Sequence, residues 1–159
     1  YMFREITRKK QALPTEKIIE ILDTEKRGVL SVLGDDGYPY GMPMNYWNNK
    51  ENGYLYFHSG KKGHKVESLA ANNKVSFCVY DSGYKNEGEW ALNISSVIVF
   101  GRVHVVENHE DAMKICKEMS LKYTPDLAYI EEEIQKFGDA TLCYELRPEH
   151  MTGKIVNES

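Results

Sequence analysis

The spacing of apolar residues changes along the chain and divides it into helical and strand-rich regions. Near the start, apolar residues between Ile18 and Leu22 recur at helical spacing after Pro14-Thr15, which predicts a first helix. From Gly28 onward, short apolar runs alternate with turn-forming residues, a pattern typical of strands. We predict strands at residues 28–34, 38–47, 54–59, 74–81, 92–107 and 140–147, the last followed by a polar tail.

Helical spacing returns between the strands and near the end of the chain. A short helix is predicted at 63–72, and two longer ones at 110–123 and 127–137. Neighbouring strands joined by tight turns favour an antiparallel sheet closed into a barrel over parallel βαβ units. The pattern therefore predicts a mainly β fold with flanking helices, built from about six strands.

Composition limits the classes of function. A chain of 159 residues is long enough for one domain, which we assign to 1–159, and its net charge is -4 with a pI near 5.8. This balance argues against a nucleic-acid or membrane-surface partner, and no apolar stretch has the length of a signal peptide or a membrane span. Three widely separated cysteines without zinc-type spacing predict a reducing cytoplasm and no metal site.

The first candidate site is the stretch FHSGKKGHK at residues 57–65. A strand end places His58-Ser59 before a glycine-containing turn, and Gly63-His64-Lys65 begins the predicted helix. The first turn of a helix has unpaired N–H groups and the positive end of the helix dipole, so it suits phosphate. A solvated basic turn explains the lysines equally well at this point, and the spacing of a Walker loop is absent.

The second candidate is the stretch GYPYGMPMNYW at residues 37–47. Strand alternation places Met42, Met44 and Tyr46 on one face. Pro43 removes a backbone donor, which predicts an edge strand. The free backbone groups of an edge strand can contact the edge of a planar heterocycle, although an ordinary aromatic-rich wall of a barrel is the commoner explanation.

The third stretch is ISSVIVFGRVHVV at residues 94–106, in which Ser95-Ser96 interrupt an apolar strand. Buried hydroxyl groups need hydrogen-bonding partners, so these serines mark a place of interest. The chain shows no Ser-His-Asp spacing, paired-carboxylate signature or HExxH motif. This argues against a hydrolase and makes a bound cofactor the source of any chemistry.

Taken together, GYPYGMPMNYW, FHSGKKGHKVESL, NNKVSFCVY, SVIVFGRV and the later MTGK resemble the FMN-binding split-barrel superfamily of pyridoxamine 5'-phosphate oxidase. Within it, the chain resembles the nitroimidazole-resistance (Nim-type) branch. The resemblance extends over roughly residues 15–154. It implies a six-stranded antiparallel split barrel of the Greek-key type that forms a homodimer, with FMN at the subunit interface.

The resemblance also implies roles for individual residues. The backbone of the strand at Pro43–Tyr46 would line the flavin ring, and His58-Ser59 at the end of the next strand would lie beside it. His64-Lys65 at the start of the following helix would hold the phosphate. Ser96 would approach the flavin from the long strand. Lys154 would approach it from the terminal motif, either of the same subunit or of the partner subunit. The implied cofactor-binding residues are Pro43, Met44, Asn45, Tyr46, His58, Ser59, Lys62, Gly63, His64, Lys65, Ser96 and Lys154.

The implied activity is that of an FMN-dependent oxidoreductase. A reduced nicotinamide or another donor would supply electrons, and a small acceptor such as a nitroheterocycle would receive them. His58 is the candidate catalytic residue, as a proton donor or substrate-orienting group, with a structural hydrogen bond as the alternative. Vitamin B6 oxidation is not expected, because the substrate-binding Trp and Arg of the oxidases have no counterpart after Lys154.

Two other classes of function stay open. The same barrel could bind flavin or haem without turnover. It could also be a cofactor-free interaction domain that uses a hydrophobic dimer face.

Overall fold

The computed structural model describes residues 3–159. Its helices are α1 (Thr15–Thr24), α2 (His64–Ala71), α3 (His109–Leu121) and α4 (Leu127–Phe137). Its strands are β1 (Arg27–Leu33), β2 (Pro39–Asn45), β3 (Trp47–Asn49), β4 (Tyr54–Gly60), β5 (Lys74–Tyr80), β6 (Asn93–Val105) and β7 (Thr141–Asn157).

The strands form one antiparallel sheet in the order β2-β1-β5-β6-β7-β4-β3. β2 and β3 lie at opposite ends of this order, yet Tyr46 alone separates them in the chain. The sheet must therefore curl until its two edges meet at Tyr46. The structure has seven strands, so the prediction of six was wrong. The single strand predicted at 38–47 is divided because its first part pairs with β1 and its second part with β4.

The last strand is much longer than predicted. β7 pairs with β6 from Tyr144 opposite Val105 to Asn157 opposite Asn93, with an irregularity in register beside Gly101. The polar tail expected after residue 147 is thus part of the sheet. The polar side chains of this segment predicted a tail. Backbone hydrogen bonds nevertheless hold it as a strand, because side chains on the outer face of a sheet can be polar.

The barrel interior is filled by apolar side chains. Met42, Met44 and Tyr46 are all buried, so the predicted face of this segment is confirmed. The ring of Phe77 makes edge-on contacts with Tyr46, at 5.0 Å between ring centroids, and with Phe57, at 4.9 Å. A second cluster, with Tyr56, Ala112, Met119 and Cys143 as its buried members, joins α3 to the outer side of β4 and β7.

The helices cover the barrel unequally. In α1, Ile18, Ile21 and Leu22 are buried, and in α3 the Asn108 side chain caps the helix by accepting the Asp111 N–H. α4 has Ile130 as its one buried residue and is the least embedded of the longer helices. Within residues 3–159, no helix combines the length and apolar character needed to cross a membrane.

The closure of the barrel at Tyr46 is fixed by the segment that follows α3. The Tyr46 N–H donates to the Tyr123 hydroxyl at 2.9 Å, and that hydroxyl donates to the Lys26 carbonyl at 2.7 Å. The Lys122 ammonium donates to the Tyr46 carbonyl at 3.2 Å and lies 3.6 Å from the centroid of the Tyr46 ring. One tyrosine and one lysine therefore satisfy the backbone groups that the strand break leaves unpaired.

We expect stability to depend on Lys122 at alkaline pH. Burial, followed by repulsion from Lys26, lowers the pKa of Lys122 from 10.5 to about 8. Between these values the unfolded chain binds more protons at this lysine, so the contribution of Lys122 to the free energy of unfolding rises with pH. We expect this contribution to rise by about 1–2 kcal/mol between pH 8 and 10, after allowance for partial exposure. In urea unfolding, the difference in free energy of unfolding between the wild type and Lys122→Met should grow by this amount, whereas the difference between the wild type and Lys17→Met, an exposed control, should stay constant. An identical pH profile for the wild type and Lys122→Met would contradict it.

Candidate functional site

The barrel opens on one side of Tyr46. Residues 39–45 of β2 pair with β1, residues 57–60 of β4 pair with β7, and no pairing joins these two segments within the described chain. The predicted edge position of the proline-containing strand is thus confirmed. We call this opening the split and define it by residues 42–45 of β2, residues 57–60 of β4 and the first turn of α2.

Lys65 connects the two sides of the split. Its Nζ lies 3.7 Å from the Met44 Sδ on β2, and its charge also acts on His58 at the end of β4. Partial loss of solvent, and then this charge, lower the pKa of His58. Lys65 is half-buried, whereas Lys61 and Lys62 are exposed in the preceding turn. Lys65 therefore links Met44 and His58, two of the predicted site residues, whose roles stay predictions.

The start of α2 is open toward the split. Gly63 has a φ of +136°, and no side chain of the described residues caps the helix. The Glu67 N–H donates to the Gly63 carbonyl at 3.2 Å, so the earlier N–H groups of the first turn have no helical acceptor. A Cβ atom built at Gly60 or Gly63 would meet nothing within 4 Å. This open space beside N–H donors and lysine side chains suits a phosphate group.

His64 has partners of its own at this helix start. Its ring stacks on Tyr40, with centroids 4.1 Å apart and planes 13° apart. Its Nε2 lies 3.6 Å from the Asp35 Oδ2, and both side chains are exposed. The Asp35 carboxylate would therefore compete with a phosphate group for the His64 imidazole. The side-chain role predicted for His64 stays a prediction, while its backbone belongs to the open first turn.

His58 and Ser59, adjacent in sequence, lie on opposite faces of β4. Ser59 is buried on the barrel side and donates to the Gly60 carbonyl at 2.8 Å, and a further hydrogen bond joins it to Tyr144. His58 lies on the outer side, opposite Cys143 of β7. Strand alternation makes this inevitable, so the two side chains do not share one surface.

On that outer side, His58 borders a cavity of about 220 Å³ between β4 and the α3–α4 pair. We call this the helix-pair cavity; its lining consists of His58, Met113, Cys116, Ser120, Glu133, Ile134, Phe137, Gly138 and Thr141. Of these lining residues, His58 was singled out from the sequence and the others were not. No local motif marks them, because they converge from segments more than fifty residues after His58 in the chain.

Ser96 and Lys154 form a separate group. They face each other across β6 and β7 and line a cleft of about 420 Å³, together with residues of the 5–11 segment. One row of paired residues crosses the sheet from Pro43 through Val29, Cys78 and Ile98 to Thr152. Four strand spacings separate its ends, about 19 Å along the sheet. Within one chain, Ser96 on β6 is therefore three strand spacings from β2 along the sheet, and Lys154 on β7 is four.

The outer face of β1, β5 and β6 carries exposed apolar side chains. Val29 is 38% exposed, Leu33 47%, Tyr80 60% and Phe100 36%. Cys78 is half-buried in the middle of this face, whereas Cys143 is buried. We call this surface the outer sheet face.

The sequence profile of pyridoxamine 5'-phosphate oxidase matches residues 14–155, nearly the whole barrel with its split, α2 and both helices that cover His58. The chain belongs to this family. A comparison with curated proteins finds no match. In residues 3–159, no group of three or more His, Cys, Asp or Glu side chains is arranged to hold a metal ion.

Solved structures share the fold. A Bacteroides thetaiotaomicron protein whose name links it to 5-nitroimidazole antibiotic resistance is 21% identical, with a TM-score of 0.77 over 92% of this chain and 87% of that one. A FAD-binding protein from Mesorhizobium loti is 20% identical, with a TM-score of 0.64 over 92% and 97%. A FAD- and haem-binding protein from Mycobacterium smegmatis is 18% identical, with a TM-score of 0.74 over 94% and 74%. At these identities the similarity concerns the fold.

Proposed function

We propose that this protein is an FMN-dependent oxidoreductase of the Nim type that passes electrons from a reduced nicotinamide, or another donor, to a small acceptor. The observation that carries the proposal is the convergence at the split. Lys65 lies against Met44 on one side and acts on His58 on the other, directly beside the open first turn of α2. An anion site, a free strand edge and an imidazole therefore adjoin one another.

The residues at the split fit FMN in two ways. The first-turn N–H groups of α2, with the ammonium groups of Lys62 and Lys65, would hold the phosphate. The backbone edge of Pro43–Asn45 that does not pair with β1 would contact the polar edge of the ring system, since the side chains of Met44 and Tyr46 are buried. FMN would supply the two-electron redox chemistry when bound.

His58 would act on the acceptor rather than on the phosphate. Its lowered pKa keeps the imidazole neutral near pH 7, so the ring carries one N–H donor and one acceptor nitrogen. A neutral imidazole beside a cavity can orient a polar acceptor and return a proton to it through the N–H.

We further propose that two subunits complete the site across the outer sheet face. Ser96 lies three strand spacings along the sheet from Pro43, about 14 Å, and Lys154 lies four, about 19 Å, so we infer that a second chain completes the set of predicted residues around one flavin. A second subunit, packed on the exposed apolar side chains of this face, would bring its own Ser96 and Lys154 to the split. Dimers related by a two-fold axis are the commonest oligomers. The three free cysteines agree with a reducing cytoplasm as the location.

Charge on the outer sheet face should separate the subunits. We expect wild-type protein to sediment at about twice its 18.3 kDa and Val29→Arg at about the monomer mass, because a dimer would bury an unpaired guanidinium. FMN affinity should fall in the same variant. Ile19→Arg places the same charge at a 39% exposed position on α1 and should stay dimeric. A wild-type protein that sediments as a monomer would refute this part of the proposal.

The function is tested on purified protein. We expect a chromophore absorbing at about 450 nm that denaturation releases as FMN, and NAD(P)H-dependent reduction of a nitroimidazole by the loaded protein. Release of FAD would show that the cofactor is FAD and would contradict the assignment of FMN. A Soret band would favour the haem-binding alternative, and a protein that takes up no cofactor would favour the interaction domain.

A further inference from the structure

We propose that the helix-pair cavity is a binding site for a small, single-ring organic cation, with Glu133 as the residue that selects for positive charge. The role of this site as the acceptor pocket rests on the function proposed above. Binding itself does not depend on FMN, so the two proposals can be tested apart.

The size of the cavity sets the size of the ligand. Its volume of about 220 Å³ is below that of sites for drug-sized molecules, which run from about 300 Å³, but a cavity of about 150 Å³ can hold benzene. One six-membered ring with a short substituent is therefore the appropriate size. A flavin ring system is too large for this space, so the cavity is not a second cofactor site.

The walls favour a flat, largely apolar ring. Met113, Ile134 and Phe137 present apolar surfaces, and a thioether and an aromatic ring both pack well against a planar group. Ser120 already donates its hydroxyl hydrogen to the Cys116 carbonyl at 2.7 Å, so its oxygen can still accept a hydrogen bond. The polar groups of the cavity thus offer acceptors to a ligand with N–H donors.

Glu133 differs from its two neighbours on α4. Glu131 pairs with Lys117 at 3.4 Å, and Glu132 pairs with Lys136 at 2.9 Å, both on exposed surface. Glu133 is half-buried, lines the cavity and forms no ion pair within the described residues. The imidazole of His58 is a poor partner for it, since partial desolvation and then the charge of Lys65 lower the pKa of that ring and favour its neutral form. The lining side chains therefore carry one negative charge beside apolar walls, which favours a cation and disfavours an anion.

The cavity also connects to the split through His58. The same imidazole that borders the cavity lies within the electrostatic reach of Lys65, which contacts Met44. A ligand on the α4 side of His58 would then be separated from the split by one side chain. This position is suitable for an acceptor that receives electrons from a cofactor in the split.

Three nearly isosteric probes test the charge preference on the full-length protein. Benzamidine is cationic, benzamide is neutral and benzoate is anionic. Calorimetric titration, with the His58 ring followed by NMR, should show benzamidine binding about five- to tenfold more tightly than benzamide, and benzoate binding most weakly. Glu133→Gln should abolish the preference for benzamidine, while Glu132→Gln, the matched control on the solvent side, should retain it. Absence of binding by all three probes, or an unchanged preference in Glu133→Gln, would overturn the proposal.

A kinetic measurement tests the acceptor role separately. If FMN-loaded protein reduces a nitroimidazole, benzamidine should inhibit competitively against the acceptor, and Glu133→Gln should weaken that inhibition. Inhibition that is not competitive would remove the acceptor role but leave the binding site. A protein that binds benzamidine through Glu133 and never takes up FMN would refute the proposed function and support the cation site.

Discussion

Gly101→Ala should unfold at a temperature about 6–12 °C below that of the wild type. Gly101 lies at the irregularity in register between β6 and β7, where the strands approach closely. A Cβ atom there would overlap the Arg147 carbonyl oxygen and lie 3.0 Å from the Leu146 Cδ1. Because the first of these is a backbone atom, the strands must move apart, which we expect to cost about 2–4 kcal/mol.

Gly60→Ala is the matched control for this result. Gly60 also lies in a strand, but its added Cβ would meet nothing within 4 Å. Its effect on the free energy of unfolding should stay within about 0.5 kcal/mol. Thermal unfolding followed by circular dichroism gives both values. If Gly101→Ala proved as stable as Gly60→Ala, the close approach of β6 and β7 at the irregularity would be wrong.

The fold was predictable where local pattern and tertiary role agree. The turn at residues 35–37 has Asp36 and Gly37 at positive φ, as the Asp-Asp-Gly sequence indicates. The buried face of residues 42–46 follows from simple alternation. The division of that segment at Tyr46 was not predictable, because Lys122 and Tyr123, which satisfy the interrupted backbone, lie more than seventy residues away.

The candidate site was predictable in part for the same reason. Lys65, His58 and Met44 are near one another because a strand, a turn and a helix follow in short succession, and such local order is visible in sequence. Strand alternation alone already implied that His58 and Ser59 face opposite ways, a consequence that the family resemblance obscured. The helix-pair cavity left no signal, because Glu133 differs from Glu131 and Glu132 through its rotation around α4, while the three letters are identical.

Lys65→Ala should weaken FMN binding about 10- to 100-fold. Lys65 is half-buried between Met44 and His58, so its ammonium is held at the split before any ligand arrives. A charge-assisted hydrogen bond of such a group to phosphate contributes about 1.5–3 kcal/mol, which corresponds to that range. Flavin fluorescence quenching on titration with the protein measures the dissociation constant.

Lys61→Ala is the control that distinguishes direct binding of the phosphate by one lysine from general attraction by the positive charge of the turn. Lys61 lies in the same basic turn and has the same charge, but its side chain is exposed, so its loss should weaken binding less than about threefold. Lys65→Arg should restore most of the affinity, because a guanidinium keeps the charge and donates to phosphate. Equal losses in Lys65→Ala and Lys61→Ala would mean that the turn attracts FMN only through its summed charge. In that case Lys65 would not bind the phosphate directly at the first turn of α2, and the proposed position of the FMN phosphate at the split would be wrong.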